Sequence, residues 1–253
     1  MDFASIIGVV LGIATIVGGN IVEGGTTAHL LQPAAALIVF GGTLGSVLLS
    51  FSLRDILNAL KSLGVVFGGT TSSPDEVIAE IVGSLTRARR NGLFTLETHI
   101  RTIRHGFLQK GLGLMVDGMA PEMMKELLEQ EIATYEETMR KASKVFEAAG
   151  GYAPTIGILG AVMGLIQVMS NVADPSKVGG GIAVAFVATI YGVGSANLLF
   201  IPIGKKIMYR LREEILIREL IIEGVLGVQS GLHPYFLRAR LNSFLAAHEK
   251  KLE

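Results

Sequence analysis

Four apolar stretches, roughly Phe3–Val22, Pro33–Leu53, Ala148–Ala173 and Val178–Gly204, contain no Asp, Glu, Lys or Arg. A bilayer's hydrocarbon core takes about 20 apolar residues as a helix. In lipid, only helices and closed barrels satisfy every backbone N–H and C=O internally. No segment shows the alternation of a strand. The chain therefore reads as all-α, an integral membrane protein with four transmembrane helices and a cytoplasmic helical domain. The missing charge constrains function as well as fold. Ion carriers usually keep an ionisable group at membrane depth, where it marks the pathway. A chain without one can move ions only beside a partner that supplies the titrating group.

Composition agrees: half the residues are hydrophobic and mean hydropathy is +0.53, above that of an ordinary soluble domain. Lys+Arg and Asp+Glu cancel at 22 each, which argues against a nucleic-acid partner. The absence of Cys removes disulfide and thiolate chemistry. The 32 glycines gather in and around the apolar stretches, where small residues let helices approach closely. Phe3–Val22 has neither a basic leading region nor an obvious cleavage site, so it reads as a span and not as a cleaved signal.

Orientation follows from the basic residues. The short connectors Glu23–Gln32 and Asp174–Lys177 hold one Lys and no Arg, whereas residues 54–147 and 205–253 are rich in both. Arg54, Lys144, Lys205 and Lys206 lie next to the spans, where the positive-inside rule weighs most. The division is thus 1–53 for spans one and two, 54–147 for the cytoplasmic helical domain, 148–204 for spans three and four, and 205–253 for cytoplasmic C-terminal helices. Both termini are expected inside.

The cytoplasmic segments carry helix signals. Ser73 precedes Pro74, Asp75 and Glu76, which combines an N-cap hydroxyl, a proline at the first helical position and acids in the first turn. That helix is expected to run to Asn91 and stop at Gly92, with another start near Phe94–Leu96. Met124, Leu128, Ile132, Tyr135, Met139, Ala142 and Phe146 recur at steps of three and four, an apolar stripe on a helix running into span three. In the tail, Glu214 sits four residues before Arg218 as a supporting pair. Gly231 and Pro234 punctuate before a last helix from Tyr235 to about Ala247.

An enzyme is not expected. There is no Gly-x-x-x-x-Gly-Lys-Ser/Thr loop. The five histidines, His29, His99, His105, His233 and His248, show no i, i+4 metal spacing and read as surface residues. Gly179–Gly181 has no preceding strand and reads as close helix packing or a flexible span start. The spans do carry a few hydroxyls and prolines. Taken singly, each Pro is read as packing geometry and each Thr as a back-bond to its own helix.

Taken together, the run Ala153-Pro154-Thr155-Ile156-Gly157-Ile158-Leu159-Gly160-Ala161-Val162-Met163-Gly164, then Asp174-Pro175, then Ala185-Phe186-Val187-Ala188-Thr189-Ile190-Tyr191-Gly192 resembles the MotA/PomA family of flagellar-motor stator subunits. The similarity extends over essentially the whole chain. It implies an ion-conducting homo-pentamer in the bacterial inner membrane around a MotB/PomB-type partner, whose span supplies an Asp, and contact with the rotor protein FliG. No cofactor is implied beyond the transported ion.

By the same resemblance, Thr189 lines the ion path, with Ala161, Ala188 and Tyr191 as neighbours, although packing explains Tyr191 equally well. Pro154 and Pro202 match the coupling prolines. Arg89, Arg90 and Glu97 match the charged rotor interface, which without the family reads as a solvated helix end. Sodium-type relatives carry Thr where this chain has Ala161 and a Thr pair where it has Ala188-Thr189, so proton coupling is expected. The alternatives are a sodium-driven PomA-type stator and an ExbB/TolQ-type energiser with three spans. A plain membrane scaffold offers no reason for Thr189, Pro154 and the charged cluster to occur together.

Overall fold

The computed structural model describes residues 2–68, 73–92 and 95–252. Among them there is no strand. Four helices are long and apolar enough to cross a membrane, and they lie within Phe3–Val22, Thr27–Ser50, Pro121–Ser170 and Val178–Gln229. The chain divides into two compact units, residues 1–68 with 138–209 and residues 69–137 with 210–253.

The first unit holds the spans. Asp2 caps span one by accepting from the Ser5 N–H at 3.3 Å. Its carboxylate also meets Lys206 Nζ at 2.6 Å, and its N–H donates to Phe67 O at 3.1 Å. The charged edge preceding span one thus lies beside the charged edge following span four. These two boundaries between apolar and charged sequence share one level.

Span two is shorter than its apolar run suggests. Its helix stops at Ser50, because Ser52 turns out as an N-cap, accepting from the Asp55 N–H at 3.2 Å, and opens a new helix, Leu53–Phe67. That helix presents two apolar stripes. Ile56, Ala59 and Val66 are buried, while Leu53, Leu57 and Leu60 are exposed, the pattern of a helix lying in a membrane interface.

Two spans contain a single widened turn of i→i+5 type, Leu37–Gly41 in span two and Ala196–Phe200 in span four. The second has a clear cause. Pro202 has no N–H, and its ring would collide with the Leu198 carbonyl in a regular helix; the wider turn just before it relieves that collision.

In the second unit, the helix Pro74–Asn91 begins with the expected cap in its fuller form. Ser73 Oγ accepts from the Glu76 N–H at 3.2 Å and the Ser73 N–H donates to the Glu76 carboxylate at 3.3 Å. Gly92 ends it with φ of +85°, a region closed to most side chains. Phe94 lies outside the described residues, and the start expected near Phe94–Leu96 falls at Leu96, where the helix Leu96–Ile100 begins, anchored by that fully buried side chain. The Met124-to-Phe146 stripe is inside as expected, with Met124 and Leu128 fully enclosed, and its helix runs unbroken from Pro121 to Ser170 through Gly150-Gly151. The last helix begins at Pro234 and continues to Leu252, past the expected end near Ala247. Ile81, Leu85, Leu112, Leu128, Leu220 and Leu237 form the centre of this unit's core.

Candidate functional site

Spans three and four touch backbone to backbone. A Cβ added to Gly157 would lie 2.9 Å from Ala188 O and 3.1 Å from Gly192 Cα. At Gly164 it would meet Ala185 N and Gly181 O at 2.8 Å, and at Gly192 it would meet Ala153 O at 2.6 Å. Small residues at these steps are the usual means by which membrane helices approach this closely. Gly181 therefore serves packing, one of the two readings offered for Gly179–Gly181. Ile38 of span two closes against Gly160, and Ala35 and Val39 pack with Val187 and Ala188.

This contact sets the depth of the predicted ion-path residues. A Cβ at Gly160 would sit 2.8 Å from that of Ala188, so Ala161 and Thr189, each one residue further along these antiparallel helices, lie about 3 Å apart in depth. Both are half-buried, whereas Ala188 is fully enclosed between spans two, three and four. Thr189 Oγ1 donates to Ala185 O at 3.2 Å. With its proton committed to the helix, the hydroxyl presents only lone pairs outward.

Tyr191 is placed differently. Its hydroxyl donates to Leu30 O at 2.5 Å and its ring lies 5.8 Å from that of Phe40. It ties span four to the connector between spans one and two, which is the packing alternative.

Pro154 is half-buried within the long helix and Pro202 is exposed on span four. Lacking an N–H, Pro154 leaves the Gly150 carbonyl without its helical donor, at the point where Gly150 packs on Ile201. The two prolines thus give spans three and four one weakened turn each.

In the second unit, Arg89 and Arg90 occupy the last turn of Pro74–Asn91, and Glu97 the first turn of Leu96–Ile100. All three are exposed and none makes an ion pair among the described residues. They are available to a partner.

One cluster in this unit went unread in the sequence, and it corrects the placement of one histidine. His105 is buried, at 4% exposure, and not a surface residue. Its Nε2 lies 3.7 Å from Glu214 Oε1. Arg218 Nε donates to the same carboxylate at 2.7 Å, and its guanidinium lies 4.0 Å from the Tyr135 ring and 5.0 Å from that of Phe107. The signal was present: His105, Leu108, Leu112 and Met115 recur at helical steps, and all four are buried.

Burial pushes the His105 pKa below its ordinary value of 6.5, Glu214 opposes, and Arg218 adds to the lowering. The unfolded chain therefore binds this proton more readily than the folded one. The neutral imidazole's contribution to stability is fully present above pH 6.5 and is lost as pH falls through the lower folded value. Thermal melting of the purified protein is expected to show a drop below pH 6.5 that His105→Gln diminishes. An unchanged pH profile in that variant would show that other groups govern it.

Comparison with known proteins agrees with this architecture. Residues 6–92 match the model described as Motility protein A N-terminal, and residues 99–220 that of the MotA/TolQ/ExbB proton channel family. The chain is 34% identical to Chemotaxis protein PomA of Vibrio alginolyticus over 253 residues, covering 100% of this chain and 99% of that protein. The structure of C. jejuni MotAB superposes with a TM-score of 0.87 at 32% identity, covering 96% of each chain. The flagellar MotAB stator complex from Bacillus subtilis superposes with a TM-score of 0.85 at 32% identity, covering 95% of each. On full-length sequence similarity and a shared four-span fold, this chain belongs to the MotA/TolQ/ExbB proton channel family, within its motility protein A branch.

Proposed function

We propose that this chain is the ion-conducting A subunit of a bacterial flagellar-motor stator and acts without enzymatic chemistry. The observation that carries the reading is the closely packed pair of spans three and four. It presents the lone pairs of Thr189 within about 3 Å of the depth of Ala161 and contains no Asp, Glu, Lys, Arg or His. Such a pair conducts only when a partner supplies the titrating carboxylate. The partner that fits is a MotB/PomB-type subunit with a membrane Asp, as in the MotAB complexes the fold resembles. Five copies ring that partner in the inner membrane, with both chain termini in the cytoplasm. The Asp2–Lys206 ion pair supports one side for the start of span one and the end of span four.

The scale of the driving force suits a rotating ring. One charge crossing about 150 mV releases about 3.5 kcal/mol, enough to bias the ring between packed arrangements. The weakened turns at Pro154 and Pro202 are the places where such a bias bends the spans. On the cytoplasmic side Arg89, Arg90 and Glu97 meet the rotor protein FliG. Exposed charge contacts are worth roughly 0.2–1 kcal/mol each, which suits a gear that releases at every step. Motor torque under viscous load is expected to fall in graded, salt-sensitive fashion on single charge removals, and further in Arg90→Glu than in Arg90→Ala. Equal torque from those two variants would count against an electrostatic rotor contact.

The transported ion is the proton. A dehydrated sodium ion needs several oxygens around it, and the side chains of Ala161 and Ala188 supply none. The test is ion flux in proteoliposomes holding this chain and its partner, freed of any plug, in sodium-free buffer under an imposed potential. Acidification that disappears when the partner's membrane Asp is replaced is the expected result. Flux that appears only with added sodium would keep the stator and reverse the ion. Ala161→Thr is expected to shift preference toward sodium in the same assay.

A further inference from the structure

Beside the conducting spans, the first unit contains a second feature that ion passage does not use. A cavity of about 280 Å³ opens between span one, span four and the end of the helix Leu53–Phe67, with walls from Gly8, Phe67, Leu198 and Pro202 and with Ser5 and Lys206 toward its mouth. Gly8 keeps it open, since a Cβ there would meet nothing within 4 Å. A wider hollow of about 590 Å³ continues from it, sharing Asn197, Pro202 and Lys206 and adding Lys205 and Tyr209. An apolar slot therefore leads directly into a cationic rim.

Its level is set by the chain itself. Asp2, directly before span one, and Lys206, one residue past the first charge after span four, are paired at 2.6 Å at this mouth, so the slot lies within the hydrocarbon and the rim at the headgroups. Because Asp2 answers Lys206, the charge left over is that of Lys205, which is exposed and makes no ion pair among the described residues.

We propose that this slot and rim form a site for an anionic phospholipid, with one acyl chain lying against Gly8, Leu198 and Pro202 and the phosphate held by Lys205. Basic pockets at the membrane surface recognise anionic headgroups in this way. The consequence, which rests on the stator reading given above, is that a bound lipid stiffens span four where Pro202 and the widened turn Ala196–Phe200 loosen it.

The test measures bound lipid and not ion flux, so its failure leaves the stator reading standing. The full-length chain is reconstituted in nanodiscs of equal phosphatidylglycerol and phosphatidylethanolamine, and the lipids that survive a detergent wash are counted by mass spectrometry. Phosphatidylglycerol is expected to be enriched about fivefold, as one cation near an anionic surface commands. Gly8→Leu projects into the slot from a position where a Cβ meets nothing within 4 Å, and Lys205→Glu reverses the rim charge; each is expected to remove the enrichment. Equal retention of the two lipids by the unaltered chain, or enrichment that survives either variant, overturns the two-part site.

Discussion

Gly192→Leu is expected to prevent spans three and four from packing, with most of the protein lost from the membrane and no motility restored to a strain lacking its own subunit. The first atoms a side chain would meet at this position are Ala153 O at 2.6 Å and Gly157 Cα at 3.0 Å. Both belong to backbone, which cannot rotate away as a side chain can, so the helices themselves must part. Parting them also opens the contacts at Gly160 and Gly164, because all lie along the same line. Overpacking in a core costs typically about 1–3 kcal/mol and more where nothing can yield; here the expected loss is at the upper end or beyond it. Gly194→Leu provides the comparison, since a Cβ at Gly194 meets nothing within 4 Å. Membrane abundance and melting temperature measured side by side decide the matter. Equal behaviour of the two variants would mean that the close approach carries no stability.

The second large effect is expected at Arg218. This side chain holds Glu214 at 2.7 Å and lies over Tyr135 and Phe107. Arg218→Ala leaves Glu214 facing only the neutral imidazole of His105 and removes the plane on which two aromatic rings rest. Taking one partner from a buried ion pair costs about 3–5 kcal/mol. The lower end applies here, because the side chains of Arg218 and Glu214 retain 14% and 21% of their exposure. Arg218→Lys keeps the charge but loses the flat guanidinium and its fixed donor geometry, so it should recover only part of the loss. Hydrogen exchange across Gly106–Val116 and the 210–229 stretch reads out this effect inside one unit. Protection unchanged in Arg218→Ala would show that the cluster is incidental to stability.

The comparison of sequence and structure turns on which interactions are local. Span one was legible to the residue, Phe3–Val22, because charge bounds it on both sides and the desolvation of a charge is a large cost. The capping box at Ser73 and Glu76 was legible for a similar reason, since its hydrogen bonds reach only three residues along the chain. Span two was misjudged at its end. Hydropathy continues through Phe51 and Leu53, but Ser52 caps a new helix there, and a serine between apolar neighbours gives no warning in an average. The pair Glu214–Arg218 was visible from its spacing, yet its partners His105, Tyr135 and Phe107 come from other helices. A histidine followed at helical steps by Leu108 and Leu112 could have been placed inside on that pattern.

What the sequence by itself determined is the class: four spans, an expected basic side, no titratable group at membrane depth, and similarity to a stator family. Those follow from the free energy of moving charge and unpaired backbone out of water, which each segment meets alone. What only the tertiary structure decided is which glycines touch, that Thr189 spends its proton on Ala185, that Tyr191 reaches Leu30, and that Asp2 and Lys206 close one mouth. Those depend on distances between helices far apart in the chain, and such distances are set by how small side chains from several helices fit at once.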